Sequence, residues 1–93
     1  MPTKVNELDR MLRGKLSAVV KEGARHTKYY IYSGEILLAT TVLSRSYEEV
    51  DDSLFARIAR EMYVNSGQLR LLINCPWSSE RYVAHVRSLM DLL

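Results

Sequence analysis

The chain has 93 residues, 47% of them hydrophobic, and a formal net charge of +2. That length makes one small domain, and that apolar content excludes a disordered chain. No run approaches the roughly 18 apolar residues of a membrane span, and residues 1–7 lack the apolar core of a signal peptide, so a cytoplasmic protein away from membranes is expected. Cys75 is the sole cysteine, which leaves no intramolecular disulfide and no thiolate zinc cluster within one chain. The charge is uneven. Residues 1–28 hold seven basic and three acidic side chains, a net of +4, and residues 29–93 hold six and eight, a net of −2. A basic N-terminal part can attract a polyanion.

Thr3 is suited to cap a first helix, with Val5, Leu8, Met11 and Leu12 at helical spacing. Gly14 interrupts that pattern, either inside a helix reaching Glu22 or as its C-cap. Residues 15–21 fit a short strand nearly as well, with Leu16, Ala18 and Val20 on one face. Glu22-Gly23 reads as a turn. Residues 26–32 are β-prone, rich in branched and aromatic side chains. Ser33-Gly34 reads as a two-residue turn into a returning strand over 35–43. That turn sets Tyr30 opposite Leu37, Lys28 opposite Ala39 and His26 opposite Thr41. Strand alternation places His26, Lys28, Tyr30 and Tyr32 on one face, expected to be open. Thr27, Tyr29 and Ile31 share the other face with Ile36, Leu38 and Val42, expected to pack on helices.

Residues 44–50 read as a polar loop. Asp51 or Asp52 can cap the next helix, whose buried stripe is Leu54, Phe55, Ile58, Ala59 and Met62, with Arg57 and Arg60 on its wet side. Asn65-Ser66-Gly67 breaks the chain. Residues 68–73 suit a short helix or a strand, ended by Pro76. Ser78 can cap a last helix with Tyr82, Val83, Val86, Leu89 and Met90 on one stripe. Trp77, just ahead of that cap, is suited to pin the helix.

His26 is the candidate for chemistry. Histidine is the side-chain type whose unperturbed pKa lies nearest neutrality, and this one stands between Arg25 and Lys28. Metal-independent RNA cleavage needs a base for the ribose 2′-hydroxyl, cations for the phosphorane and an acid for the leaving oxygen. His26 can move the protons. Lys21, Arg25, Lys28 and Arg45 can hold phosphate, and Tyr30 or Tyr32 can stack a base. The competing description is a half-exposed histidine at a strand edge. His85 falls at the edge of the last helix's stripe, which suits a packing or surface role. Glu48, Glu49, Asp51 and Asp52 suit a helix N-terminus better than a metal, and no metal site or cofactor is expected.

The run Gly23-Ala24-Arg25-His26-Thr27-Lys28-Tyr29-Tyr30-Ile31-Tyr32, a short turn, and then Leu38-Ala39-Thr40-Thr41-Val42-Leu43-Ser44-Arg45 before a loop and a helix, resembles the HicA-like toxins. These are small mRNA interferases with a double-stranded-RNA-binding-domain-like fold. Residues 49–61 and 69–82 look like a longer, mostly uncharacterised HicA-related subgroup. The resemblance implies α+β architecture in the order α-β-β-β-α. A three-stranded antiparallel sheet carries helices on one face, and C-terminal helices are added. It favours the strand over 15–21, with Gly14 ending the first helix. Residues 1–93 then form one domain, with 66–93 as a helical extension. The family's glycine-serine-histidine-histidine signature stands here as Gly23-Ala24-Arg25-His26, so Arg25 takes the usual catalytic position and His26 the second. The proline and histidine that often close the third strand are absent around Val42-Leu43-Ser44. What the resemblance implies is RNA as ligand, a cognate antitoxin as partner, and endoribonuclease activity carried by His26. A non-catalytic nucleic-acid or protein-binding module, or a homodimer through the C-terminal helices or a sheet edge, accounts for the same residues.

Overall fold

A computed structural model describes residues 3–44, 46–74 and 76–91. Leu8, Met11 and Leu12 recur at helical spacing and are buried along one side of helix α1 (Val5–Arg10) and the π-helical turns that continue it (Met11–Lys15). Gly14 does not end this helix. The stop is Ser17, at φ 51°, beside the Ala18 N–H donating to the Leu12 carbonyl at 2.9 Å. The Leu16 N–H donates to the Met11 carbonyl five residues back, which is the wider turn of a π-helix.

Thr3 caps nothing. With Lys4 it forms a two-residue strand, β1 (Thr3–Lys4), and its buried hydroxyl has no hydrogen-bond partner among the described residues. The partner strand is β5 (Glu49–Val50), so part of the expected polar loop is paired, Thr3 with Val50 and Lys4 with Glu49.

The three-stranded antiparallel sheet runs β2 (Val19–Glu22), β3 (His26–Ser33) and β4 (Ile36–Ser44), in that spatial order. Gly23 is needed at the β2–β3 turn. Its N–H donates to the His26 carbonyl at 2.8 Å, and a β-carbon there would meet that oxygen at 3.0 Å. The β3–β4 turn is Gly34-Glu35 rather than Ser33-Gly34, with Gly34 at φ 62°, so Ser33 pairs with Ile36. A bulge beside Ile31/Tyr32 shifts the register again, leaving Lys28 opposite Val42 and His26 opposite Ser44. The inward side of β4 therefore carries Ala39, Thr41 and Leu43, with Leu38 at the bulge. Val42, expected to face the core, is on the other face opposite Lys28, and Ile36, opposite Ser33 beside the turn, is exposed rather than buried. Thr27, Tyr29 and Ile31 on β3 are buried as expected.

Helices α2 (Asp52–Glu61), α3 (Ser66–Ile73) and α4 (Ser79–Asp91) cover that inward face with α1. Asp51 caps α2 by accepting from the Leu54 N–H at 2.8 Å. Asn65 and Gln68 form a reciprocal capping box on α3, and Ser78 caps α4 through the Arg81 N–H. Phe55, Ile58 and Ala59 of α2 and Met62 at its C-cap join Leu69 and Leu72 of α3 and Tyr82 and Val86 of α4 in one core. The last two helices are thus part of that core rather than an appendage to it. The Lys15 ammonium donates to the carbonyls of Leu72 and Trp77 at 2.6 and 2.8 Å, tying the end of α1 to the end of α3. Among the described residues, no helix is long and apolar enough to cross a membrane.

Candidate nucleic-acid interface

Because the helices lie on one side of the sheet, its other face is uncovered. That face is built by alternation: Val19 and Lys21 from β2, His26, Lys28, Tyr30 and Tyr32 from β3, and Leu37, Thr40, Val42 and Ser44 from β4. No carboxylate stands on it among the described residues. Lys21 is the direct cross-strand partner of Lys28. Side chains paired this way have β-carbons about 4.5–5.5 Å apart, and like charges so placed repel. Arg25 is exposed in the turn that joins the two strands, at the same end of the sheet. Tyr30 is half-buried between Val19 and Thr40, and Tyr32, 42% exposed, stands opposite Leu37. The sheet thus brings together Lys21, Lys28, Tyr30 and His26, with Arg25 at the margin. Arg45 lies outside the described residues, as does Cys75.

His26 is exposed at the start of β3, and its imidazole makes no hydrogen bond among the described residues. It borders a groove of about 630 Å³ that also takes in Tyr47, Glu49, Asp51 and Arg57. Sequence reading had no access to these neighbours. Tyr47 and Glu49 fell in an assumed loop, and Arg57 on the outer side of a helix. No local pattern signals that the β4–β5 connection and α2 converge on the end of β3. The groove is mixed in charge. Arg57 can hold a phosphate, whereas the carboxylates of Glu49 and Asp51 repel one.

The remaining polar clusters are structural. The Tyr29 hydroxyl donates to Asp9 Oδ1 at 2.5 Å, and Arg13 Nε donates to the same oxygen at 2.7 Å, which fastens α1 to β3. Burial first, and then the Asp9 carboxylate, hold the Tyr29 phenol above its usual range. His85 Nε2 lies 2.9 Å from the Tyr63 carbonyl, so that nitrogen carries the proton, and the ring tilts against Trp77 with centroids 5.5 Å apart. This is the packing role expected of it. No family model, curated protein or solved structure matches the chain.

Proposed function

We propose that this protein binds RNA through the open face of its sheet, as a HicA-like protein whose α1-β2-β3-β4-α2 core is of the double-stranded-RNA-binding-domain type. The observation that carries it is the Lys21–Lys28 pair. Two cations placed directly opposite each other, with no carboxylate on their face among the described residues, cost stability in the free protein. A bridging phosphate removes that cost and converts the repulsion into binding. Arg25 at the same end adds a guanidinium fork for a second phosphate.

Binding to a short single-stranded RNA should weaken with salt. Two phosphate contacts give a slope of log affinity against log salt of about −1.4, and three give about −2.1. Lys21→Ala or Lys28→Ala should flatten that slope by about 0.7, and Arg25→Ala by a similar amount. Fluorescence anisotropy across a salt series measures this. A complex insensitive to salt rules the proposal out.

Cleavage is the second reading. It is favoured by the exposed imidazole of His26, without a hydrogen-bond partner among the described residues, and by Arg57 in the same groove. Positioned proton transfer contributes about 10²- to 10⁴-fold to such reactions, so His26→Ala should slow RNA cleavage by that range. Gel analysis of a labelled transcript reads the rate. Cleavage that continues unchanged in the variant removes His26 from the chemistry.

A further inference from the structure

We infer, on the strength of the RNA-binding proposal above, that the ligand of this face is a single-stranded stretch of RNA with neighbouring bases stacked on Tyr30 and Tyr32. The two tyrosines are two residues apart on β3, so their rings leave the same face about 6.8 Å apart along the strand. The bulge does not separate them, because its extra residue, Leu38, is on β4. Each ring has an apolar, exposed neighbour across the sheet: Val19, 56% exposed, beside Tyr30, and Leu37, 44% exposed, beside Tyr32. Together they make two adjoining platforms, each broad enough for a base.

Charge and apolar surface are also segregated along the face. Lys21, Lys28 and Arg25 stand towards the β2–β3 turn, and Tyr32 and Leu37 towards the β3–β4 turn. A single strand lying along β3 meets cations with its phosphates and rings with the bases that follow. A duplex keeps its bases stacked inside, so it would reach the cations and leave the tyrosines and aliphatic side chains uncovered. Exposed apolar surface on its own would suit a protein partner equally well. The opposed lysines without a counter-charge favour a polyanion.

The test compares a labelled pyrimidine-rich single-stranded RNA with a hairpin whose stem contains the same sequence, by fluorescence anisotropy. The proteins are wild type, Tyr32→Ala, Tyr32→Trp and Lys28→Ala. Stacking on one ring accounts for about a 5- to 150-fold change in affinity. The single strand should bind about tenfold or more tighter than the hairpin, and Tyr32→Ala should lose affinity in the stated range with the salt slope unchanged. Tyr32→Trp should keep the affinity. Tyr32 is exposed, and circular dichroism checks that each variant is folded. Equal binding of both RNAs, with Tyr32→Ala silent and Lys28→Ala weakened, overturns the single-strand inference and leaves RNA binding standing. Binding of neither RNA at low salt overturns both. Light scattering on the same samples covers the protein alternative. A dimer that Tyr32→Ala converts to monomer assigns the face to self-association and overturns the inference.

Discussion

Replacing Tyr82 with alanine is expected to cost about 3–5 kcal/mol of folding free energy, the range for truncating a large buried aromatic side chain. Tyr82 is fully buried, and its hydroxyl donates to the Met62 carbonyl at 2.9 Å. That carbonyl lies where α2 ends in Tyr63, at φ 62°, a conformation that L side chains rarely adopt. Tyr82 and His85 hold both carbonyls of this turn from α4, so the truncation leaves a cavity and also releases a strained connection. At about 0.05–0.15 kcal/mol per residue, a domain of this size has a total of about 5–14 kcal/mol. Tyr82→Ala should therefore remove a large share of that total, enough to bring a domain at the lower end of the range close to unfolding. Tyr82→Phe keeps the ring and should cost only about 1 kcal/mol, the worth of one hydrogen bond. Arg87→Ala, on the exposed side of the same helix, should stay within about 0.5 kcal/mol. Urea unfolding followed by circular dichroism compares the three. A Tyr82→Ala protein as stable as wild type would mean that α4 is an appendage and not part of the core.

Stability should also fall steeply above about pH 10. Burial raises the phenol pKa values of Tyr29 and Tyr82 above the ordinary 10.0 in the folded chain. The Asp9 carboxylate adds to the effect at Tyr29, and the Tyr63 phenol at Tyr82. Below pH 10 both tyrosines are protonated whether the chain is folded or not, and their contribution is complete. Above it the unfolded chain gives up its protons first, so the folded state loses ground as pH rises through the folded-state values. While only the unfolded state ionises, each tyrosine contributes a slope of about 1.4 kcal/mol per pH unit, and the pair about 2.7. Within roughly two pH units that reaches the lower end of the stability expected for the domain. Tyr29→Phe removes one of the two ionisations and should halve the slope, although it also costs the bond to Asp9 at neutral pH. Urea midpoints measured on either side of pH 10 decide the matter. Midpoints that do not move would show that neither phenol is held neutral by the fold.

The amphipathic pattern of α2 was readable except at Leu54, expected in the buried stripe and half-buried at its edge. Phe55, Ile58, Ala59 and Met62 recur at the helical period and are the buried stripe, and Asp51 caps the helix as its position suggests. The alternation of β3 was readable too, because the extra residue of the bulge is on β4 and residues 26–32 keep one period throughout. The face of β4 was not. Moving the turn by one residue shifts each partner by two and keeps its face, so the parity depends on one extra residue. That extra residue, Leu38, exchanges the faces of every residue after it, so Ala39, Thr41 and Leu43 point inward and Val42 outward, whereas Ile36, ahead of it and opposite Ser33, is exposed because it lies at the turn end of the sheet. Thr3 looked like a cap because its chemistry suits one, and only the approach of Glu49-Val50 makes it a strand residue.

The sequence by itself determined the chemistry available to this protein: a histidine in basic and aromatic company, an alternation that sets Lys28, Tyr30 and Tyr32 on a common side, and helices able to cover the other. Tertiary structure decided how that chemistry is arranged. The β2–β3 register set Lys21 against Lys28, and Val19 beside Tyr30. The convergence of the β4–β5 connection with α2 gave His26 the company of Tyr47, Glu49 and Arg57. The division has a physical basis. Periodicity within an element is a property of neighbouring residues, whereas register and groove lining arise from contacts between segments far apart in the chain, which local pattern does not encode.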